Sequence, residues 1–223
     1  MKERPILFSG PMVRAILEGR KTQTRRIVKP TGAHHIFQFR GREEARGTDE
    51  PTGEWAWCRA ERVISEHIRC PYGKPGDRLW VRETHDVNRL GSETFPDGRT
   101  RLYAGIAYQA DDGRHEADIS DSQCRAIEAK TWRGWTPSIH MPRWASRITL
   151  EITGVRAERL QEISQDDAEA EGIDFLRSVP DAYETLDARG LFRCLWDGLN
   201  AARGHGWDAN PWVWAIEFRR IEP

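Results

Sequence analysis

Near its start the chain runs Pro5-Ile6-Leu7-Phe8, short and apolar, then breaks at Ser9-Gly10-Pro11, which puts a proline into the first turn of a helix. Met12, Val13, Ala15 and Ile16 follow at helical spacing, and Gly19 stands where such a helix ends. The pattern predicts a helix that delivers Lys21 to Arg26 just past its C-terminal end. Thr22 and Thr24, followed by Ile27-Val28, favour extended backbone there, and Pro30 closes it.

Between Thr31 and Gly73 the pattern weakens, and Arg40 to Glu50 reads as a charged, solvated loop. Alternation at His35 to Arg40 and at Trp55 to Ile68 predicts hairpin strands. The turn Tyr72-Gly73-Lys74-Pro75-Gly76-Asp77 introduces Arg78 to Thr84, where Leu79, Val81 and Glu83 alternate with Trp80, Arg82 and Thr84 as in a strand. Asn88 to Arg101 is polar and punctuated by Gly and Pro, Leu102 to Ala110 suits another strand, and Asp111 to Lys130 is a second charged excursion. Residues 31–73 and 85–140 therefore read as insertions.

The pattern tightens at Trp132 to Trp144 and continues into Arg147 to Val155, whose Ile148, Leu150 and Ile152 alternate as in a half-buried strand. Ser164 opens a short helix, with Asp167 as a capping-box-like partner, Ile163 stapled to Ala168, and Gly172 as its stop. A longer helix is predicted over Asp181 to Asn200, with Leu191, Cys194, Leu195 and Leu199 along one face. Trp212 to Arg219 alternates as a closing strand.

Composition narrows the class. With 223 residues, 31% charged and 38% hydrophobic including ten Trp and seven Phe, the chain can fill the core of one large domain over 1–223. A net charge of −1 excludes bulk electrostatic attraction to nucleic acid, so any such contact must be local. No apolar run reaches membrane-spanning length, and Met1-Lys2-Glu3-Arg4 precedes too short an apolar stretch for a signal peptide; the expectation is a cytoplasmic protein without a membrane partner. Cys58, Cys70, Cys124 and Cys194 form no CxxC pair, so spacing indicates no disulfide framework. Cys58, His67 and Cys70 group together without a fourth ligand, and the expectation is free thiols and no metal. No cofactor motif appears, and spacing says nothing of oligomeric state.

The order of elements carries a resemblance. Gly19-Arg20-Lys21-Thr22-x-Thr24-x-Arg26 follows the first helix, Gly76-Asp77 enters a strand, and Ala170-Glu171-Gly172 ends the short helix. Together these resemble the ASCH domain, which implies an α+β fold: a PUA-like small β-barrel with flanking helices, here carrying two long insertions. Arg4-Pro5-Ile6-Leu7-Phe8-Ser9, Trp135-x-Pro137-Ser138-Ile139-His140-Met141-Pro142-Arg143-Trp144 and Trp207-Asp208-x-Asn210-Pro211-Trp212 are similar to larger ASCH proteins of phage and prophage genomes.

Within that family, small bacterial N4-acetylcytidine amidohydrolases use a Lys, a Thr three residues later and a Glu on the short helix. The resemblance thus implies Lys21 as base, Thr24 as nucleophile and Glu171 as acid, the three groups that amide hydrolysis needs. It further implies Arg20, Thr22, Arg25 and Arg26 as substrate or nucleic-acid contacts, and a modified nucleoside, RNA or other single-stranded nucleic acid as partner. The alternatives are a binding module without turnover and, third, a ribonuclease, for which no convincing cluster exists. Without the resemblance, Lys21 and Thr24 would read as a solvated strand edge and Glu171 as an ordinary surface acid. The basic cluster Arg20, Lys21, Arg25, Arg26 and Lys29 would face phosphate or pair with neighbouring acids. Trp80, Trp135, Trp144, Trp212 and Trp214 read as core before base platform, and Ser138 with His140 lacks the rest of a triad.

Overall fold

A computed structural model of the chain describes residues 1–29, 38–41, 54–59, 62–63, 68–129, 134–177 and 186–221. The first stretch forms β1 (Glu3–Leu7), α1 (Gly10–Leu17) and β2 (Gln23–Ile27); short strands β3 (Gln38–Gly41), β4 (Glu54–Arg59), β5 (Arg62–Val63) and β6 (Ile68–Arg69) follow. Next come β7 (Arg78–Arg82), β8 (His85–Thr94), β9 (Thr100–Tyr108), β10 (Arg114–Asp118) and α2 (Asp121–Glu128). The remainder consists of β11 (Thr149–Arg159), α3 (Gln165–Ala170), α4 (Ala188–Asn200) and β12 (Trp212–Ile221), joined in part by 3-10 turns. The fold is α+β, with more sheet than helix among the described residues.

The central sheet has the order β1-β7-β11-β12-β2, with β1 parallel to β7 and every other pair antiparallel. The closed barrel expected from the sequence is corrected to an open sheet, because no ladder among the described residues joins β1 to β2. A side chain spans that seam instead: Arg26 of β2 donates from Nη2 to the carbonyl of Leu7 at 3.0 Å. One guanidinium bond cannot carry a ladder's register, so the edges stay apart and leave room for a cleft.

Both faces of the sheet are covered. Trp214, Ile216 and Phe218 of β12 pack with Ile6, Leu79, Val81, Leu150 and α1, while Val213 faces a second cluster built from α3 and α4. This explains why the middle of β12 is buried on consecutive positions rather than on alternate ones. Trp55 and Trp57 of β4 belong to the first cluster, and Trp55 meets Trp214 edge to face with centroids 4.6 Å apart. The segment read as a first insertion therefore supplies core.

The segment read as a second insertion forms the sheet β10-β9-β8, with its own apolar clusters around Ile106, Tyr108 and Ala104. Polar Asn88 to Arg101 contains most of β8, and the second charged excursion contains β10 and α2, which Ser120 and Gln123 open with a full capping box. A buried knot ties this sheet down: Arg147 grips both oxygens of Glu83 at 2.9 Å, binds Asp111, and lies 4.0 Å over the Tyr108 ring.

Another expectation shifts by about two turns. The last long helix begins at Ala188, because the Asp187 side chain accepts from the Gly190 N–H as N-cap. Its buried face is Ala188, Leu191, Phe192 and Trp196, while Leu199 is exposed. Residues 181–185 lie outside the described ones, as do parts of the predicted strands at 35–40 and 55–68. Of the tryptophans, Trp80 and Trp214 are buried, Trp144 and Trp212 half-buried, and Trp135 exposed. No helix among the described residues is long and apolar enough to cross a membrane.

Candidate functional site

The site begins where α1 ends. Gly19 adopts a left-handed φ of +74°, and the N–H groups of Arg20 and Lys21 both donate to the Ala15 carbonyl, at 2.8 and 3.0 Å. The chain then hooks beneath α3, where the Thr22 N–H reaches the Ala170 carbonyl at 2.9 Å. From the other side, Ser164 caps α3 through the Asp167 N–H, and Glu171 stands as its C-cap before left-handed Gly172. Two local stop signals thus bring Lys21 and Glu171 together.

The contact is direct. Lys21 Nζ donates to Glu171 Oε2 at 2.8 Å, to the Glu171 carbonyl at 2.8 Å and to the Gln23 carbonyl at 2.7 Å. Three acceptors match the three protons of an ammonium, which is how a charge survives at 2% exposure. Burial holds the amine below its ordinary pKa, against the pull of Glu171 and with the push of Arg26 and Arg25.

Arg25 is the second buried cation, and acids surround it. Its guanidinium binds Glu158, Asp167 and Glu171, at 2.7, 3.0 and 3.2 Å, and also the Gln23 side chain at 2.8 Å. Asp167 also holds Arg156 and Gln23; burial raises its pKa, but these donors and Arg25 outweigh that and bring it below the ordinary carboxylate value. Arg20 lies on the surface between Glu18 and Asp174. Arg20 and Arg25 are therefore paired with acids.

Thr24 and Arg26 point to the other face of β2, as strand alternation requires. Thr24 is buried, and its Oγ1 accepts from Arg26 Nη1 at 2.7 Å; among the described residues no hydrogen bond joins it to Lys21. The Phe8 ring meets both cations, 5.4 Å from Lys21 Nζ and 5.3 Å from the Arg26 guanidinium carbon. Thr22 is exposed. The structure brings Lys21, Glu171 and Arg25 into one network and pairs Thr24 with Arg26 instead.

A cavity of about 600 Å³ opens at the seam between β1 and β2, walled by Phe8, Arg25, Arg26, Glu171, Phe192 and Trp196. Its size suits a drug-sized or nucleoside-sized ligand, and its lining combines rings, cations and one carboxylate. Ser138 and Ile139 border it, whereas His140 is exposed and no hydrogen bond among the described residues links it to Ser138. Sequence reading missed Phe8, Gln23, Glu158 and α4 as parts of the site; Gln23 alone carried a signal, lying inside the Lys-Thr-Gln-Thr run.

No group of His, Cys, Asp or Glu that could hold a metal occurs among the described residues. Cys70 is buried in the main core, while the Cys58 side chain and His67 lie outside the described residues. Searches with family models and against curated proteins and solved structures return no match to this chain.

Proposed function

We propose that this protein is a nucleoside-directed protein of the ASCH kind whose cavity receives a modified pyrimidine. The observation that carries this reading is the buried contact of Lys21 with Glu171, 150 positions apart, at the wall of a ring-lined cavity. Phe8, Phe192 and Trp196 in the lining give a base an apolar, aromatic surround. The Glu171 carboxylate supplies an acceptor for an exocyclic N–H, and Arg26 a donor for a carbonyl. Incubation with a panel of modified nucleosides, read by calorimetry and by mass analysis of products, tests the reading. Saturable binding of an N4-modified cytidine is expected; failure to bind any pyrimidine nucleoside ends it.

A second reading, hydrolysis of the N4-acyl group, is favoured by the same buried pair. Shift of one proton along the 2.8 Å contact converts Lys21 and Glu171 into a neutral amine and a neutral acid, a base and an acid at once. Arg26 donates to Thr24 Oγ1, which leaves the hydroxyl proton free to be taken. This scheme requires substrate entry to release the amine from the Gln23 carbonyl and bring it to Thr24 Oγ1, a contact absent among the described residues; the amine then takes that proton while Oγ1 bonds to the acyl carbon. The carbon–N4 bond breaks, N4 takes the proton of Glu171, and water hydrolyses the acyl ester on Thr24. Release of acetate from N4-acetylcytidine is expected in the wild type and absent in Thr24→Val and Glu171→Gln. Turnover that survives Thr24→Val, or binding without turnover in the wild type, excludes this second reading.

A further inference from the structure

The positive charges around the cavity are not equally committed. Arg25 is spent on three carboxylates, whereas half-buried Arg26 meets only neutral oxygens among the described residues, Thr24 Oγ1, the Arg25 carbonyl and the Leu7 carbonyl, and keeps N–H groups for a ligand. Glu171, the carboxylate in the lining, gives one oxygen to Lys21 and the other to Arg25, so its charge is met while each oxygen keeps a lone pair for a ligand N–H. Two lining cations remain, Lys29 just beyond β2 and Arg203 just beyond α4. Both are exposed, and neither has an ion-pair partner among the described residues.

Resting on the nucleoside reading above, we propose that the natural ligand carries a phosphate ester, bound at the cavity mouth by Lys29 and Arg203. The base end of the ligand then meets Phe8, Phe192, Glu171 and Arg26, and the sugar end leaves past two exposed cations that have no ion-pair partner among the described residues. A protein whose net charge is −1 gains nothing from general attraction to phosphate, so these two charges act locally. An ammonium and a guanidinium that line one cavity suit a phosphate oxygen cluster, since the guanidinium can bind two oxygens and the ammonium a third. A neutral nucleoside would leave both without a partner.

The test compares N4-acetylcytidine with its 5′-monophosphate by calorimetry, on the wild type and on Lys29→Ala/Arg203→Ala. Both positions are exposed, so the variant should keep its melting temperature. The expected result is binding of the monophosphate about tenfold tighter than the nucleoside at low salt, with that advantage fading as salt rises. In the double variant the nucleoside binds as before and the advantage is gone. Equal affinities in the wild type, or an advantage that survives the double substitution, overturn the phosphate proposal and leave the nucleoside reading standing. Failure of both ligands to bind overturns the two together. A short single-stranded oligocytidylate decides the source: tighter binding than the monophosphate assigns the phosphate to a strand backbone, weaker binding to a free nucleotide, and in either case loss in the double variant supports the pair.

Discussion

Gly172 presses on Lys21 so closely that a Cβ at position 172 would lie 2.7 Å from the Lys21 Cβ, and 2.9 Å from that of Ala15. The same glycine holds a left-handed φ of +73°, which an L side chain adopts only at a cost. Steric and conformational penalties therefore add at one position that fixes where Lys21 sits. Gly172→Ala should lower stability by about 2–4 kcal/mol, or roughly 5–15 °C in melting temperature for a domain of this size. A fall below about 2 °C would mean that α1 and α3 yield easily and that the Lys21 site is not rigidly held.

The Lys21 and Glu171 side chains should be energetically coupled, and unequally so. Lys21→Met leaves Glu171 still bound by Arg25, whereas Glu171→Leu leaves a buried ammonium with only two backbone carbonyls. Removing one partner of a buried pair costs about 3–5 kcal/mol. Urea unfolding should rank Glu171→Leu as the worse single variant, with the double variant more stable than the sum of the two losses by at least about 1 kcal/mol. Additive losses, or the reverse order, would show that the contact is geometric without being energetic.

What the sequence shows of this architecture is its local part. Gly19 and Gly172 stop helices through their left-handed backbone and Ser164 starts one through its hydroxyl, as read, while the Asp167 carboxylate read as the other half of a capping box turns to Gln23, Arg25 and Arg156. β8 escapes because Asn88, Arg89 and Glu93 leave it no apolar alternation; its place comes from hydrogen bonding to β9. The open seam escapes too, since whether β1 and β2 meet depends on pairings between distant strands. At the site, Asp167 is legible as a cap through its N–H, yet its carboxylate turns to Arg25, 142 positions away, which no short-range pattern displays. Lys21 and Glu171 are paired in advance by family resemblance alone; spacing is silent on it.

Asp77 gives a prediction in acid. Its carboxylate accepts from the Lys2 N–H at 2.8 Å, from the Lys74 N–H at 3.3 Å and from Arg4 at 3.4 Å, tying β1 to the turn before β7. The Lys2 N–H leads in holding its pKa below the ordinary value, against a smaller opposing effect of burial. An unfolded aspartate titrates near about 3.9. The stabilisation is therefore present above that pH and lost as pH falls through the lower folded value. Asp77→Asn should cost about 1 kcal/mol at pH 7, and the gap to wild type should close as pH falls below the ordinary aspartate value of about 3.9 and through the lower folded one. A gap that stays constant, or widens in acid, contradicts the assignment.

Cys70 tests the packing of the segment that enters β7. At 5% exposure it lies in the main core beside Trp55 and Trp57, and burial pushes its thiol up to about 11, against the N–H groups of Tyr72 and Gly73. Only the thiolate is nucleophilic, so at pH 8 roughly one Cys70 in a thousand is reactive even when reagent can reach it. Cys124 and Cys194 are half-buried, so reagent reaches them more readily. Native alkylation at pH 8, followed peptide by peptide, should label Cys70 at least about tenfold more slowly than Cys194, and the two rates should converge in urea. Equal native rates would mean that the turn from Cys70 to Asp77 opens often enough to expose the core, and with it the anchor that Asp77 provides for β1.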